Sequence, residues 1–242
     1  MGRTVLVTGA ARGIGKAIAD RFVENGDMVV VADINKSDLS KAVESYGDIN
    51  NIDSVVMDVT SYTDVHKIVS LILDKYEHID ILVNNAGITA DAQLINMTEE
   101  QFDSVIAVNL KGVFCCTKAV IPDMIKKGYG KIINIASVVA HNGNFGQCNY
   151  AASKAGVIAM TKTWAKELGK KGINVNAVAP GYTMTEMVMK VPEKILDSIK
   201  ERVPLKRLGK PEEIAEACFY LASDRASFVH GAVLNIDGGL VL

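Results

Sequence analysis

Short apolar runs alternate along the chain with longer segments in which apolar residues recur at helical spacing. The runs are Thr4 to Val7, Met28 to Ala32, Ser54 to Met57, Ile79 to Val83, Lys131 to Ala136, Ile173 to Val178 and Ala232 to Ile236. Each is rich in valine and isoleucine, and nearly continuous apolarity suits strands covered on both faces. Between them, Gly13 to Glu24, Tyr62 to Tyr76, Glu99 to Lys127, Tyr150 to Leu168 and Pro211 to Ala222 carry the helical period. The alternation predicts an α/β fold: a parallel sheet with helices on both faces and right-handed crossovers. No proline- or serine-rich linker and no internal repeat interrupts it, so residues 1–242 read as one domain. The one departure is an insertion from Thr183 to Lys210, where Met184, Met187 and Met189 precede a short amphipathic helix. Those methionines would either line an adaptable apolar wall or serve as ordinary core filling.

Composition narrows the partners. The 242 residues carry a formal net charge of -2, with basic residues spread and not clustered, which gives no reason to expect nucleic acid or an anionic membrane. Cys115, Cys116, Cys148 and Cys218 form no C-x-x-C pair and have no histidines at zinc-ligand spacing, so no metal is expected. They read as free, mostly buried thiols of a reducing compartment. The chain opens straight into a strand, and no apolar stretch reaches bilayer-spanning length on this reading, so a soluble cytoplasmic protein is expected.

The first candidate chemistry lies after the first strand. Thr8-Gly9-Ala10-Ala11-Arg12-Gly13-Ile14-Gly15 leads directly into a helix. A strand, a glycine-rich turn and a helix N-terminus form an anion site, because backbone N–H groups and the positive end of the helix dipole face the ligand. The spacing is G-x-x-x-G-x-G, which departs from the commonest dinucleotide fingerprint but serves the same purpose. The second strand ends at Asp33, where a carboxylate would accept hydrogen bonds from an adenosine ribose and repel a 2′-phosphate. Asp33 therefore favours NAD(H). Arg12 and Lys36 are the residues that would accommodate NADP(H) instead.

The second candidate is Tyr150 with Lys154, one helical turn apart and so on the same helix face. Ser137 follows a strand end, where open parallel sheets place their ligand crevice. A free tyrosine, with a pKa near ~10, is a poor base at neutral pH, but a neighbouring ammonium and an oxidised nicotinamide would both favour its phenolate. Ser137 would hold a substrate oxygen against Tyr150.

At these residues the chain resembles the short-chain dehydrogenase/reductase family over essentially its whole length. The resemblance is carried by Thr8-Gly9-x-x-x-Gly13-Ile14-Gly15, Asn84-Asn85-Ala86-Gly87, Asn109, Ser137, Tyr150-x-x-x-Lys154 and Pro180-Gly181. It implies a doubly wound, Rossmann-type sheet of seven strands and a catalytic tetrad of Asn109, Ser137, Tyr150 and Lys154. It further implies that Asn109 holds a water through its helix backbone and that Lys154 binds the nicotinamide ribose. Asp33 and Ile34 would meet the adenosine ribose side, Asp58 and Val59 the adenine, and Asn85, Ala86 and Gly87 the ribose. Pro180, Gly181, Thr183 and Thr185 would reach the nicotinamide and phosphates. A homotetramer is the family's usual assembly.

Within the family, Asn84 to Ala90, Gly143 to Ala155, Val203 to Glu213 and Asp237-Gly238-Gly239 are similar to reductases of 3-oxoacyl thioesters on acyl-carrier protein. That similarity implies reduction to the 3-hydroxyacyl form, a reaction of fatty acid biosynthesis. Those reductases dock the carrier on arginines at the mouth of the site. Here one such position is Gly128, while Lys126, Lys127, Lys131 and Lys171 keep the region basic. Coenzyme A thioesters remain open as substrates. The alternatives are an NAD-linked dehydrogenase of a small secondary alcohol or ketone, and a non-catalytic nucleotide-binding scaffold on the same fold. An enoyl-thioester reductase is disfavoured, since that branch spaces its tyrosine and lysine more widely.

Overall fold

Seven parallel strands form one sheet in the order β3-β2-β1-β4-β5-β6-β7. The computed structural model describes residues 2–185, 188 and 193–240. The strands are β1 (Thr4–Thr8), β2 (Met28–Asp33), β3 (Ile52–Val56), β4 (Ile81–Asn84), β5 (Gly130–Ile135), β6 (Ile173–Pro180) and β7 (Val233–Ile236). Register is set in the middle by pairings such as Val5 with Val29 on one side and Val5 with Ile81 on the other. The strand order reverses between β1 and β4, which opens a crevice above their carboxyl ends.

The helices are α1 (Gly13–Glu24), α2 (Lys36–Glu44), α3 (Tyr62–Tyr76), α4 (Glu99–Ile106), α5 (Gly112–Lys127), α6 (Val139–Asn142), α7 (Cys148–Leu168), α8 (Glu193–Arg202) and α9 (Pro211–Leu221). On one sheet face Ile18 and Phe22 of α1 pack with Leu39 of α2 and with Ile214, Cys218 and Leu221 of α9. On the other, Val65, Val69 and Ile72 of α3 meet Cys116, Val120 and Met124 of α5 and Leu168 of α7. Several helices start where a side chain satisfies the free N–H groups. Asn35 caps α2, Ser61 caps α3, and Thr98 with Gln101 forms a capping box on α4.

Coverage on both faces holds for the five inner strands and fails at the two edges. β3 and β7 are only partly buried, because an edge strand has a neighbour on one side and the flanking helices do not reach across it. α2 was not apparent in the pattern: it is short and polar, and owes its start to Asn35. α8 is the amphipathic helix expected in the insertion. Met184 is part-exposed, and Met187 and Met189 lie outside the described residues.

Glu99 to Lys127 corrects two expectations. It is one helical run but not a uniform one, since Ala107–Lys111 forms a π turn closed by the Gly112 N–H to the Ala107 carbonyl. It is also long and apolar enough to cross a bilayer by length and composition, contrary to the sequence reading. Half of its most apolar window is buried inside the protein, so its apolarity is that of a core helix.

Candidate active site

The glycine-rich loop is folded by two constraints. Gly9 has φ +63°, and a Cβ there would stand 2.7 Å from the Ala86 Cα, so a side chain is excluded by backbone and by space. The loop is also latched to the end of β4. Asn85 Nδ2 donates to the carbonyls of Thr8 (3.0 Å) and Gly9 (2.9 Å), and Thr8 Oγ1 accepts from the N–H groups of Asn85 and Ala86, both at 3.1 Å. The latch spans the switch point and sets the floor of the cleft.

α1 begins from an extended Arg12 with no capping side chain and no acid in its first turn. Its N–H groups therefore stay open to an outside anion, in contrast to the capped starts of α2, α3 and α4. Gly13, Ile14 and Gly15 border the same cavity, about 700 Å³ in volume, and Thr185 approaches Gly13 from the far side. Open N–H groups, a glycine that no side chain can replace and a cavity of this size fit a dinucleotide.

Asp33 borders the cavity at the end of β2. Its carboxylate accepts from the N–H groups of Ala11 (3.3 Å) and Asn35 (3.0 Å), which fixes its position. Ile34 is exposed at the rim. Arg12 also borders the cavity, but its guanidinium is 3.7 Å from Asp38, while Lys36 is not part of the wall. Asp58 accepts from the N–H and hydroxyl of Thr60, and Val59 packs against Gly112. Asn85, Ala86, Gly87, Pro180, Gly181 and Thr183 complete the wall.

Tyr150 lies on the first turn of α7 and Lys154 on the next, with Ser137 facing them from beyond the end of β5. Tyr150 and Ser137 border the cleft together, and Ser137 acts on the acidity of the phenol. Lys154 Nζ donates to the Ile135 carbonyl at 2.7 Å and stands 5.7 Å from the Tyr150 ring centre. Asn109 sits in the π turn and is fully buried behind the cleft. Its amide clamps Ile88 in both directions, accepting from the N–H at 2.8 Å and donating to the carbonyl at 2.9 Å. It also donates to Ser153 Oγ at 3.3 Å, which ties α7 to the same point.

Burial pushes Tyr150 above its ordinary pKa; Ser137 opposes this and the charge of Asp91 adds to it. Burial also pushes Lys154 down, to about 8. Within the chain burial outweighs Ser137 and favours the neutral phenol of Tyr150, the proton-donating form.

The basic cluster also falls elsewhere. Lys126 and Lys127 end α5, Lys131 lies near the start of β5, and Lys171 just precedes β6. These are the amino ends of the strands, whereas the cleft opens at the carboxyl ends. Lys127 pairs with Asp80, and Lys131 is buried with its amine on Asn174. Within the chain none of the four borders the cleft.

Other wall residues have no distinctive spacing. Gln147 precedes α7 and donates to Asp91 at 2.8 Å, while Asn144 donates to Gln147 at 2.9 Å. Asn142, Tyr182, Arg202 and Leu240 also border the cavity. The stretch Gly143 to Ala155, similar to thioester reductases, pointed to Asn144 and Gln147, and the insertion Thr183 to Lys210 contains Arg202.

A switch-point cleft with an open helix start at one end and Ser137, Tyr150 and Lys154 at the other defines a dinucleotide-dependent oxidoreductase. Residues 9–241 match the sequence model of a family described as enoyl-(acyl carrier protein) reductase. The chain is 52% identical over its full length to the 3-oxoacyl-[acyl-carrier-protein] reductase FabG of Thermotoga maritima, covering 98% of that protein. It is 42% identical to the FabG reductase of Vibrio cholerae, covering 98% of it, and 41% identical to that of Staphylococcus epidermidis, covering 100%. The chain belongs to the short-chain dehydrogenase/reductase family.

Proposed function

We propose that this protein is an NAD(P)H-dependent reductase of 3-oxoacyl thioesters, carried by acyl-carrier protein or coenzyme A, and that it produces the 3-hydroxyacyl form. The observation that carries the reading is Tyr150 together with Ser137 and a buried Lys154 in a cleft fit for a dinucleotide. The 3-oxoacyl reductase relatives support the substrate class, and the one-turn spacing of Tyr150 and Lys154 argues against the enoyl branch.

When bound, the nicotinamide supplies the hydride to the carbonyl carbon. Ser137 donates a hydrogen bond to the carbonyl oxygen and holds it against Tyr150. Tyr150 transfers its phenolic proton to that oxygen, so hydride and proton together convert ketone to alcohol. Lys154 holds the nicotinamide ribose and stabilises the phenolate left behind. Asn109 positions the loop at Ile88 and completes the tetrad. The cofactor would be held by Gly9, Arg12 to Gly15, Asp33, Ile34, Asp58, Val59, Asn85 to Gly87, Pro180, Gly181, Thr183 and Thr185. Asp33 selects NAD(H) over NADP(H), and Val188 and Arg202 of the insertion 183–210 line the cleft on its substrate side. The working assembly is a homotetramer, and three buried free thiols fit a reducing, cytoplasmic setting.

The test is the initial rate of acetoacetyl-CoA reduction, run in parallel with NADH and NADPH. Fast turnover with NADH supports both substrate and cofactor assignments. Faster turnover with NADPH keeps the thioester and refutes the role of Asp33. Absence of turnover from folded, cofactor-binding protein refutes the thioester and leaves a small secondary alcohol or ketone as substrate.

A further inference from the structure

In the single chain, three large apolar side chains stand together at the surface near the start of α7, the helix that carries Tyr150. Leu94, Ile95 and Phe145 are 81%, 87% and 82% exposed. Single exposed hydrophobics are ordinary, but a contiguous group marks a binding surface. These three line a groove of about 370 Å³ with Ala92 at its side, and Asn144 borders both the groove and the main cleft. We propose that this groove receives the acyl chain of the 3-oxoacyl thioester, making the protein selective for chains long enough to reach it. The inference rests on the thioester reading above.

The groove has a fixed frame. The Ala92 N–H donates to the Gly146 carbonyl at 2.9 Å, joining its two loops. Gln147 bonds Asp91, and buried Asn149 donates to the carbonyls of Ala90 (3.0 Å) and Gln101 (3.1 Å). A preformed apolar wall needs little ordering on binding. The chemistry of the two ends of the substrate then assigns them. A phosphopantetheine arm carries amides and a phosphate and needs polar partners, which Asn142, Gln147, Tyr182 and Arg202 offer in the main cleft. Leu94, Ile95 and Phe145 offer none, and suit the methylene chain on the other side of the reacting carbonyl. Each methylene taken from water into such a surface strengthens binding by about fourfold.

The experiment compares kcat/KM for acetoacetyl-CoA and 3-oxodecanoyl-CoA, in the wild type and in a Leu94→Ser, Phe145→Ser double variant. The wild type is expected to prefer the longer substrate by at least about tenfold. The variant is expected to lose that preference while its acetoacetyl-CoA rate stays unchanged. Cys148 borders the groove and is the one exposed cysteine, so labelling by a thiol reagent gives a second readout. 3-Hydroxydecanoyl-CoA should slow the labelling and 3-hydroxybutyryl-CoA should not. Equal wild-type kcat/KM for both substrates overturns the proposal, as does a parallel fall for both in the variant. A change of molecular mass in size-exclusion chromatography overturns it too, by assigning the groove to a second copy of the chain. If the wild type reduces neither substrate, the thioester reading itself fails and this inference falls with it.

Discussion

Burial drives Tyr150 and Lys154 towards their neutral forms, and their predicted phenotypes differ for that reason. Tyr150→Phe removes the proton donor but leaves the apolar ring, so kcat should fall by about 10²–10⁴-fold while NADH binding, followed by fluorescence titration, stays nearly unchanged. Retention of most of the activity would refute the assignment of Tyr150 as the acid. Asp33→Ala removes the carboxylate at the ribose position, and the ratio of kcat/KM for NADH over NADPH should drop by about tenfold or more, equivalent to ~1.4 kcal/mol. An unchanged ratio would mean that the cofactor is selected elsewhere. Cys148→Ser should stay active, because the thiol touches Met97 and no hydrogen bond joins it to the tetrad.

At the scale of elements, the site depends on joints between elements more than on the elements themselves. Asn149 is buried at the start of α7, donates to the Ala90 carbonyl of the loop after β4 and to the Gln101 carbonyl of α4, and accepts from the Tyr150 N–H at 2.8 Å. Asn149→Ala leaves these groups unpaired and should cost about 2–3 kcal/mol in urea unfolding, with a lowered kcat. A loss below about 0.5 kcal/mol, the level of an ordinary surface change, would show that the joint is not a clamp. The bounds of α1 and α3 were legible because amphipathic period and start signals agree there: the glycine turn for one, Ser61 for the other. The π turn at Asn109 was not legible. Its residues, Ala107 to Lys111, continue the apolar period without a break, and one extra residue in a turn changes hydrogen-bond register and not composition. α2 was missed for the opposite reason, having too little apolar surface to show a period.

For the molecule as a whole, Lys154 sets activity against stability. Its pKa is depressed to about 8, so between there and its unfolded value the folded state binds fewer protons than the unfolded state. Stability therefore rises with pH across that window, and the full penalty is felt below it. Lys154→Met removes about 3 kcal/mol of that penalty and loses the hydrogen bond to Ile135, so a net gain of about 2 kcal/mol is expected at pH ~7. The gain should shrink as pH approaches ~10, and turnover should be lost. A variant less stable than wild type at neutral pH would refute this account. The fold and the residues around the cleft were legible because Gly9 to Gly15, Ser137, Tyr150 and Lys154 sit at fixed places in a repeating β-α order. Gln147 and Asn144 were missed, and the position of the four lysines at the amino ends of β5 and β6 was not legible, because these depend on which loops touch and which strand ends face the cleft. The latch between Thr8, Gly9 and Asn85 has a consequence for synthesis. The nucleotide loop leaves the ribosome well before the strand it is fastened to, and β1 has a bare edge until β4 emerges. A nascent chain that ends before β4 therefore cannot recruit cofactor to stabilise itself. It depends on β2 and its own apolar core to avoid aggregation until β4 arrives.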